Sequence, residues 1–182
     1  MLSRDQRKAL LKIAREAVEA AAKDMPYGPT YDDPELAKPG AAFVTLRHRG
    51  ALRGCIGTIQ PREPLAECVA KMARAAARED FRFPPVHLSE LPDITIEISV
   101  LNPPQPVSDI NEIQVGKHGL IVQQGNQRGL LLPQVPLEWG WGREEFLQQT
   151  CLKAGLPRDA WRRGAQVFCF TAEVFGEEDE EA

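Results

Sequence analysis

Near the middle of this chain Ile94, Ile96, Ile98 and Val100 alternate with Thr95, Glu97 and Ser99. A period of two sends successive side chains to opposite faces, so this segment is a β-strand with one buried face and one polar face. The segments around it set the fold class. Ser3-Arg4-Asp5-Gln6 has the S-x-x-Q form of a capping box and opens a helix to about residue 22. Its apolar stripe is Leu10, Ile13, Ala14, Ala17, Val18 and Ala21. Residues 43–48 and 52–59 read as two strands joined by a tight turn at Arg49-Gly50. A helix with Pro64 in its first turn then carries Leu65, Cys68, Val69, Met72, Ala73 and Ala76 on one stripe. Residues 119–123 and 129–132 form a predicted hairpin around Gly125-Asn126, and 143–154 a helix stopped by Gly155, Leu156 and Pro157. A last strand over 166–175 puts Phe168, Phe170, Ala172 and Val174 on one face.

Helices and strands are thus mixed without regular βαβ alternation. The expected class is α+β, a mainly antiparallel sheet flanked by helices. Two proline-rich stretches, 26–40 and 102–106, read as seams between two lobes of one compact unit. The folded domain is expected over 1–176, with 177–182 an acidic, disordered tail.

Charge and cysteine usage narrow the function. The net charge of −4 includes five acidic residues in the last six positions, and without them the body carries +1. A nearly neutral body lacks the basic footprint that nucleic acid requires. No apolar run is long enough to span a bilayer, and the charged N-terminus lacks the apolar core of a signal peptide, so the expected location is the cytoplasm, away from membranes. Cys55, Cys68, Cys151 and Cys169 form no C-x-x-C pair and no ligand spacing with His48, His87 or His118, so no metal site is expected. Neither phosphate-cradling glycine motif is present, and no cofactor is expected.

The candidate site is Leu52-Arg53-Gly54-Cys55-Ile56-Gly57. Glycine weakens a strand, so Gly54 and Gly57 on either side of one thiol indicate a close approach to the backbone by a ligand, a substrate or another piece of chain. In an extended chain Arg53 and Cys55 share a face about 7 Å apart. A guanidinium there favours thiolate and makes Cys55 a candidate nucleophile. The plain alternative is a small buried residue beside a bulge. Cys68 and Cys151 sit on apolar helix stripes, so packing accounts for both, while Cys169, between two phenylalanines but facing the other side of its strand, is open to either role with packing favoured. Lys117 and His118, in the glycine-bounded turn Val115-Gly116-Lys117-His118-Gly119, offer an anion grip or the base that Cys55 lacks. Glu97 joins the candidates from the polar strand face. Asp80-Phe81-Arg82-Phe83-Pro84-Pro85 is a stiff loop that caps a pocket, docks a partner, or anchors the helix end through its aromatics. The G-x-x-G match at 54–57 to a nucleic-acid clamp is set in a strand without basic residues and is discounted.

These blocks together resemble the AMMECR domain family, whose prokaryotic members are called AmmeMemoRadiSam system protein A. The resemblance is carried by Leu52-Arg53-Gly54-Cys55-Ile56-Gly57-Thr58, Phe43-Val44-Thr45-Leu46, Arg82-Phe83-Pro84-Pro85, Ile96-Glu97-Ile98-Ser99-Val100-Leu101, Val115-Gly116-Lys117-His118-Gly119-Leu120, Gly129-Leu130-Leu131-Leu132-Pro133-Gln134, Glu144-Glu145-Phe146-Leu147 and Thr150-Cys151-Leu152-Lys153-Ala154-Gly155-Leu156. Phe81 stands where the family commonly has proline, and Gly142 where an aspartate often opens the late helix. The resemblance implies two subdomains, the larger holding both chain ends. It also implies the company of a Memo-like protein and a radical S-adenosylmethionine enzyme, and it supplies no reaction. The readings that remain are a pocket at Cys55 for an unknown small molecule, with Cys55 and His118 catalytic and Arg53, Gly54, Gly57, Lys117 and Glu97 binding, or a non-catalytic module that docks one of those partners.

Overall fold

The computed structural model describes residues 1–181, with side chains through Asp179. The chain divides into two units, residues 1–101 with 173–182, and residues 102–172. Both are antiparallel sheets with helices, so the fold is α+β.

The first unit starts with α1 (Arg4–Ala22), whose capping box is formed between Ser3 and Gln6. After a strap anchored by the buried Leu36 come β1 (Pro39–His48) and β2 (Ala51–Gly57). Arg49 and Gly50 join them with positive φ at both positions, the turn whose twist matches that of paired strands. β3 (Glu63–Pro64) leads into α2 (Leu65–Arg78), and β4 (Ile94–Leu101) follows the loop over 79–93. The sheet order is β2-β1-β4-β9, where β9 spans Ala172–Gly176, with β3 paired to the start of β1. Val44, Leu46, Ile96 and Ile98 point to one face, where they form a single core with the predicted stripes of α1 and α2.

The second unit holds β5 (Gln105–Pro106), β6 (Gly119–Gln124), β7 (Gln127–Leu131), α3 (Val135–Trp139), α4 (Arg143–Lys153) and β8 (Gln166–Phe170), with sheet order β5-β8-β6-β7. Phe146, Leu147 and Cys151 of α4 are fully buried. Gly142 caps α4 without a side-chain hydrogen bond.

Two sequence expectations need correction. The last strand is two strands: Thr171 separates β8 from β9 (Ala172–Gly176), and each belongs to a different sheet. Burial changes parity across the break, with Phe170 and Phe175 each 2% exposed and Val174 50% exposed. A single alternating register over 166–175 therefore fails. The acidic end is also not simply solvated, because α5 (Glu177–Glu181) starts on it. The Glu177 carboxylate accepts Arg15 Nε at 2.8 Å and the Ile96 backbone N–H at 2.9 Å, which ties it to the body.

Candidate functional site

Arg53, Gly54, Cys55 and Gly57 all lie on β2, an outer strand of its sheet. Pairing to β1 runs Phe43 with Gly57, Val44 with Ile56, Thr45 with Cys55 and Leu46 with Gly54, then jumps to Arg47 with Leu52. Arg53 is the extra residue of a β-bulge, which re-aims its side chain. Its guanidinium, 11% exposed, is fully engaged. Nε and Nη2 bind the two oxygens of Glu90 at 2.9 and 3.0 Å, while Nη1 and Nη2 donate to the carbonyls of Pro84 and Pro85 at 2.8 and 3.3 Å. The bond from Arg53 is the main reason the Glu90 carboxyl titrates below its ordinary range.

Thr45 and Cys55 face each other without exchanging backbone bonds, so the Cys55 N–H points out of the sheet. It donates to Asp80 Oδ2 at 3.0 Å, which closes an edge otherwise open to pairing. Asp80 is 4% exposed. Its carboxylate also takes Arg82 Nε at 2.9 Å, Nη2 at 2.7 Å and the Arg82 backbone N–H at 3.2 Å. The hydrogen bonds from Arg82 outweigh burial and hold the Asp80 carboxyl well below the usual carboxylate range. Arg82 titrates higher in turn, mainly through Asp80 and to a smaller degree through the Cys55 sulfur. Arg82 thus already has a carboxylate partner. The sulfur itself accepts the Thr45 hydroxyl at 3.2 Å.

The space opened by the glycines is filled by the chain itself. A Cβ on Gly54 would stand 2.2 Å from the Ala76 carbonyl oxygen, so α2 packs backbone against backbone there. A Cβ on Gly57 would stand 2.1 Å from the Phe43 ring, which lies across the strand. Of the three occupants that the glycines admitted, these positions hold pieces of chain.

Glu97 shares a row with the thiol. Thr45 pairs with Cys55 on one side and Glu97 on the other, so the three lie in line, about 10 Å from end to end. The row is on the face opposite the helix-covered core. Lys117 and His118 belong to the second unit. There His118 Nδ1 accepts the Gln114 backbone N–H at 3.0 Å, which places the ring proton on Nε2. Burial first, and then the Lys117 charge, lowers the His118 pKa. Among the described residues no group of His, Cys, Asp and Glu is arranged to hold a metal ion.

Sequence reasoning missed Thr45, Glu90 and the role of Asp80. Asp80-x-Arg82 ahead of Pro84-Pro85 was the available signal, since that spacing lets a carboxylate fork its own loop. The loop is fixed through Asp80 at one end and Arg53 at the other, with Phe83 beneath both guanidinium groups at 6.0 Å from Arg53 and 5.5 Å from Arg82. Phe81, between these anchors, is 97% exposed. It does not anchor the helix end to the core.

A family model described as AMMECR1 matches residues 11–175. A protein of Thermococcus gammatolerans is 50% identical, covering 93% of this chain and 89% of its own length. A protein of Methanothermobacter thermautotrophicus is 46% identical, with 97% of each chain covered. The crystal structure of the uncharacterized protein PH0010 from Pyrococcus horikoshii has a similar fold, with a TM-score of 0.84 at 45% identity over 95% of this chain and 92% of that one. Among the described residues no helix is long and apolar enough to cross a membrane.

Proposed function

Because the chain belongs to the AMMECR1 family, a family whose resemblance brings partners but no reaction, we propose that it is a non-catalytic docking module whose contact surface is the loop over 80–85. The observation that carries this reading is a phenylalanine, Phe81, 97% exposed on a loop pinned from both ends. A pinned loop loses little entropy on binding, and an exposed aromatic on it is a ready anchor for an apolar pocket. Leu88, 45% exposed, and Leu52, 38% exposed, add apolar surface within the same unit. The guanidiniums of Arg53 and Arg82 are matched by Glu90 and Asp80, so the surface has no free charge from them to offer a polyanion. The occupant is a folded protein with an apolar pocket, and the Memo-like protein and the radical S-adenosylmethionine enzyme are the candidates.

Titration calorimetry of this protein against each purified candidate tests the reading. One of them binds, Phe81→Ala weakens binding by about 30-fold or more, and affinity changes less than about threefold between 50 and 300 mM salt. Binding indifferent to Phe81→Ala removes the loop from the interface. Steep salt dependence removes the apolar character.

A second reading, a thiol site for a small molecule, is favoured by the Thr45 hydroxyl directed at the Cys55 sulfur and by Glu97 in the same row. It requires iodoacetamide to modify Cys55 faster than glutathione at pH 7, and Thr45→Val to slow that reaction. Equal rates for both proteins eliminate it.

A further inference from the structure

The first unit has a cleft of about 230 Å³, lined from α1 by Ala17, from α2 by Glu67, Ala70 and Arg74, and from the strap by Tyr27 and Pro29. Ala17 and Ala70 are buried in the core that the two helices share, and their small side chains leave the room. The volume equals roughly eight water volumes, space for a molecule of about eight heavy atoms. Glu67 and Arg74 are half-buried, and neither forms an ion pair among the described residues. The Glu67 carboxylate accepts only the Tyr31 hydroxyl, at 3.4 Å. Arg74 donates through Nη1 alone, to the Met25 carbonyl at 2.7 Å. Lys71, one turn from Glu67, pairs with Glu63 at 3.6 Å instead. One cleft therefore holds an unmatched carboxylate and an unmatched guanidinium, each giving up water that no counter-charge offsets.

We propose that this cleft binds a small zwitterion of the α-amino-acid class, its ammonium on Glu67 and its carboxylate on Arg74. The two residues are seven apart on α2, which puts them on one face of the helix, two turns or about 10 Å apart along its axis. Their charged ends do not meet, and a ligand carrying both charges fits between them. Nε and Nη2 of Arg74 are unused, the two donors that a carboxylate takes side by side. At the Tyr27 end the field is negative: burial first, then the bond and charge of Glu16 and the charge of Glu67, raise the Tyr27 pKa. An ammonium is favoured at that end and a second carboxylate is not. No residue of the 80–85 loop lines the cleft, so the site is independent of docking there.

Methyl-correlation NMR of alanine-labelled protein reads the cleft at Ala17 and Ala70. The probes are L-valine, isobutylamine and 3-methylbutanoate, alike in their branched carbon chain and differing in charge. L-Valine should move both methyl signals saturably, with each of the other two binding at least about tenfold more weakly. Glu67→Gln keeps an acceptor for Tyr31 and should bring valine down to the affinity of 3-methylbutanoate, itself changed less than about threefold. Arg74→Gln should bring valine down to the level of isobutylamine. Glu67→Gln carries the test alone if loss of the Met25 bond loosens the strap. Methyl signals unmoved by valine at about 50 mM, valine affinity equal to that of either truncated probe, or a valine preference over 3-methylbutanoate that survives Glu67→Gln overturns the proposal.

Discussion

Asp80→Ala removes the group on which the 80–85 loop and the sheet edge both depend. Asp80 accepts four hydrogen bonds, one from the Cys55 backbone and three from Arg82. Without it the Cys55 N–H is left without its acceptor, a loss of about 1–3 kcal/mol. The charge-assisted fork to Arg82 adds about 1 kcal/mol, reduced from the value for a buried pair because the Arg82 side chain is 47% exposed and recovers water. The total is about 3 kcal/mol, or a fall of roughly 6–12 °C in Tm for a chain of this size. Asp80→Asn keeps an acceptor for the Cys55 amide and should cost about half as much. The native carboxyl titrates below its unfolded counterpart. Its stabilisation is therefore complete above the unfolded value near ~4 and is lost as pH falls through the lower native value. The gap between the wild type and Asp80→Asn should accordingly narrow below about pH 4. Urea unfolding at pH 7 and pH 3, with hydrogen exchange read at the Cys55 amide, measures both effects. A loss under about 1 kcal/mol at pH 7, with Cys55 protection unchanged, would refute the argument that this carboxylate ties loop to edge.

Gly54→Ala drives a methyl group into the Ala76 carbonyl and should cost about 2–3 kcal/mol in urea unfolding, while Gly28→Ala, with nothing within 4 Å, stays within about 0.5 kcal/mol. Glu177→Gln weakens the grip on Arg15 and the Ile96 amide, with an expected loss of about 1–2 kcal/mol; an unchanged midpoint would return Glu177 to the solvated tail. Phe81→Ala should leave stability within about 0.5 kcal/mol whatever it does to binding, since that ring packs on nothing. His118 should titrate by NMR below the ordinary imidazole range, and Lys117→Ala should raise its midpoint, because a neighbouring positive charge disfavours imidazolium.

The fold was legible wherever a local rule had one solution. The stripe from Leu10 to Ala21, the Ser3–Gln6 cap and the Ile94–Ile98 alternation each admit one way of burying apolar surface, and all are present, the alternation lapsing only at its end, where Ser99 is buried and Val100 half-buried. Residues 166–175 misled because two half-strands with opposite burial parity look like one strand when six of their ten residues are aromatic or β-branched. At the candidate site the sequence located the unusual backbone and left open which of three occupants stands over it. Alternation from Cys55 puts Arg53 on the same face, and only the one-residue bulge sends that guanidinium to Glu90, 37 positions further on. A bulge depends on where the partner strand stops pairing, so it cannot be read from β2 alone.

The glycines make a more general point about motifs built around one cysteine. A glycine in a strand states that a side chain will not fit, without saying what occupies the space. Here a helix backbone stands over Gly54 and an aromatic ring over Gly57, so the strand is squeezed between α2 on one face and Phe43 on the other. That squeeze fixes where Cys55 presents its amide to Asp80, and Asp80 fixes Arg82 and the loop beyond. Selection acting on the shape of that loop alone would preserve the glycines and the Asp80–Arg82 fork without any reaction at sulfur. The decisive comparison is Cys55→Ser, which keeps the backbone amide and a small side chain beside Thr45. If the motif serves the loop, this variant binds the partner as the wild type does while Gly54→Ala does not; if it serves the thiol, Cys55→Ser fails first.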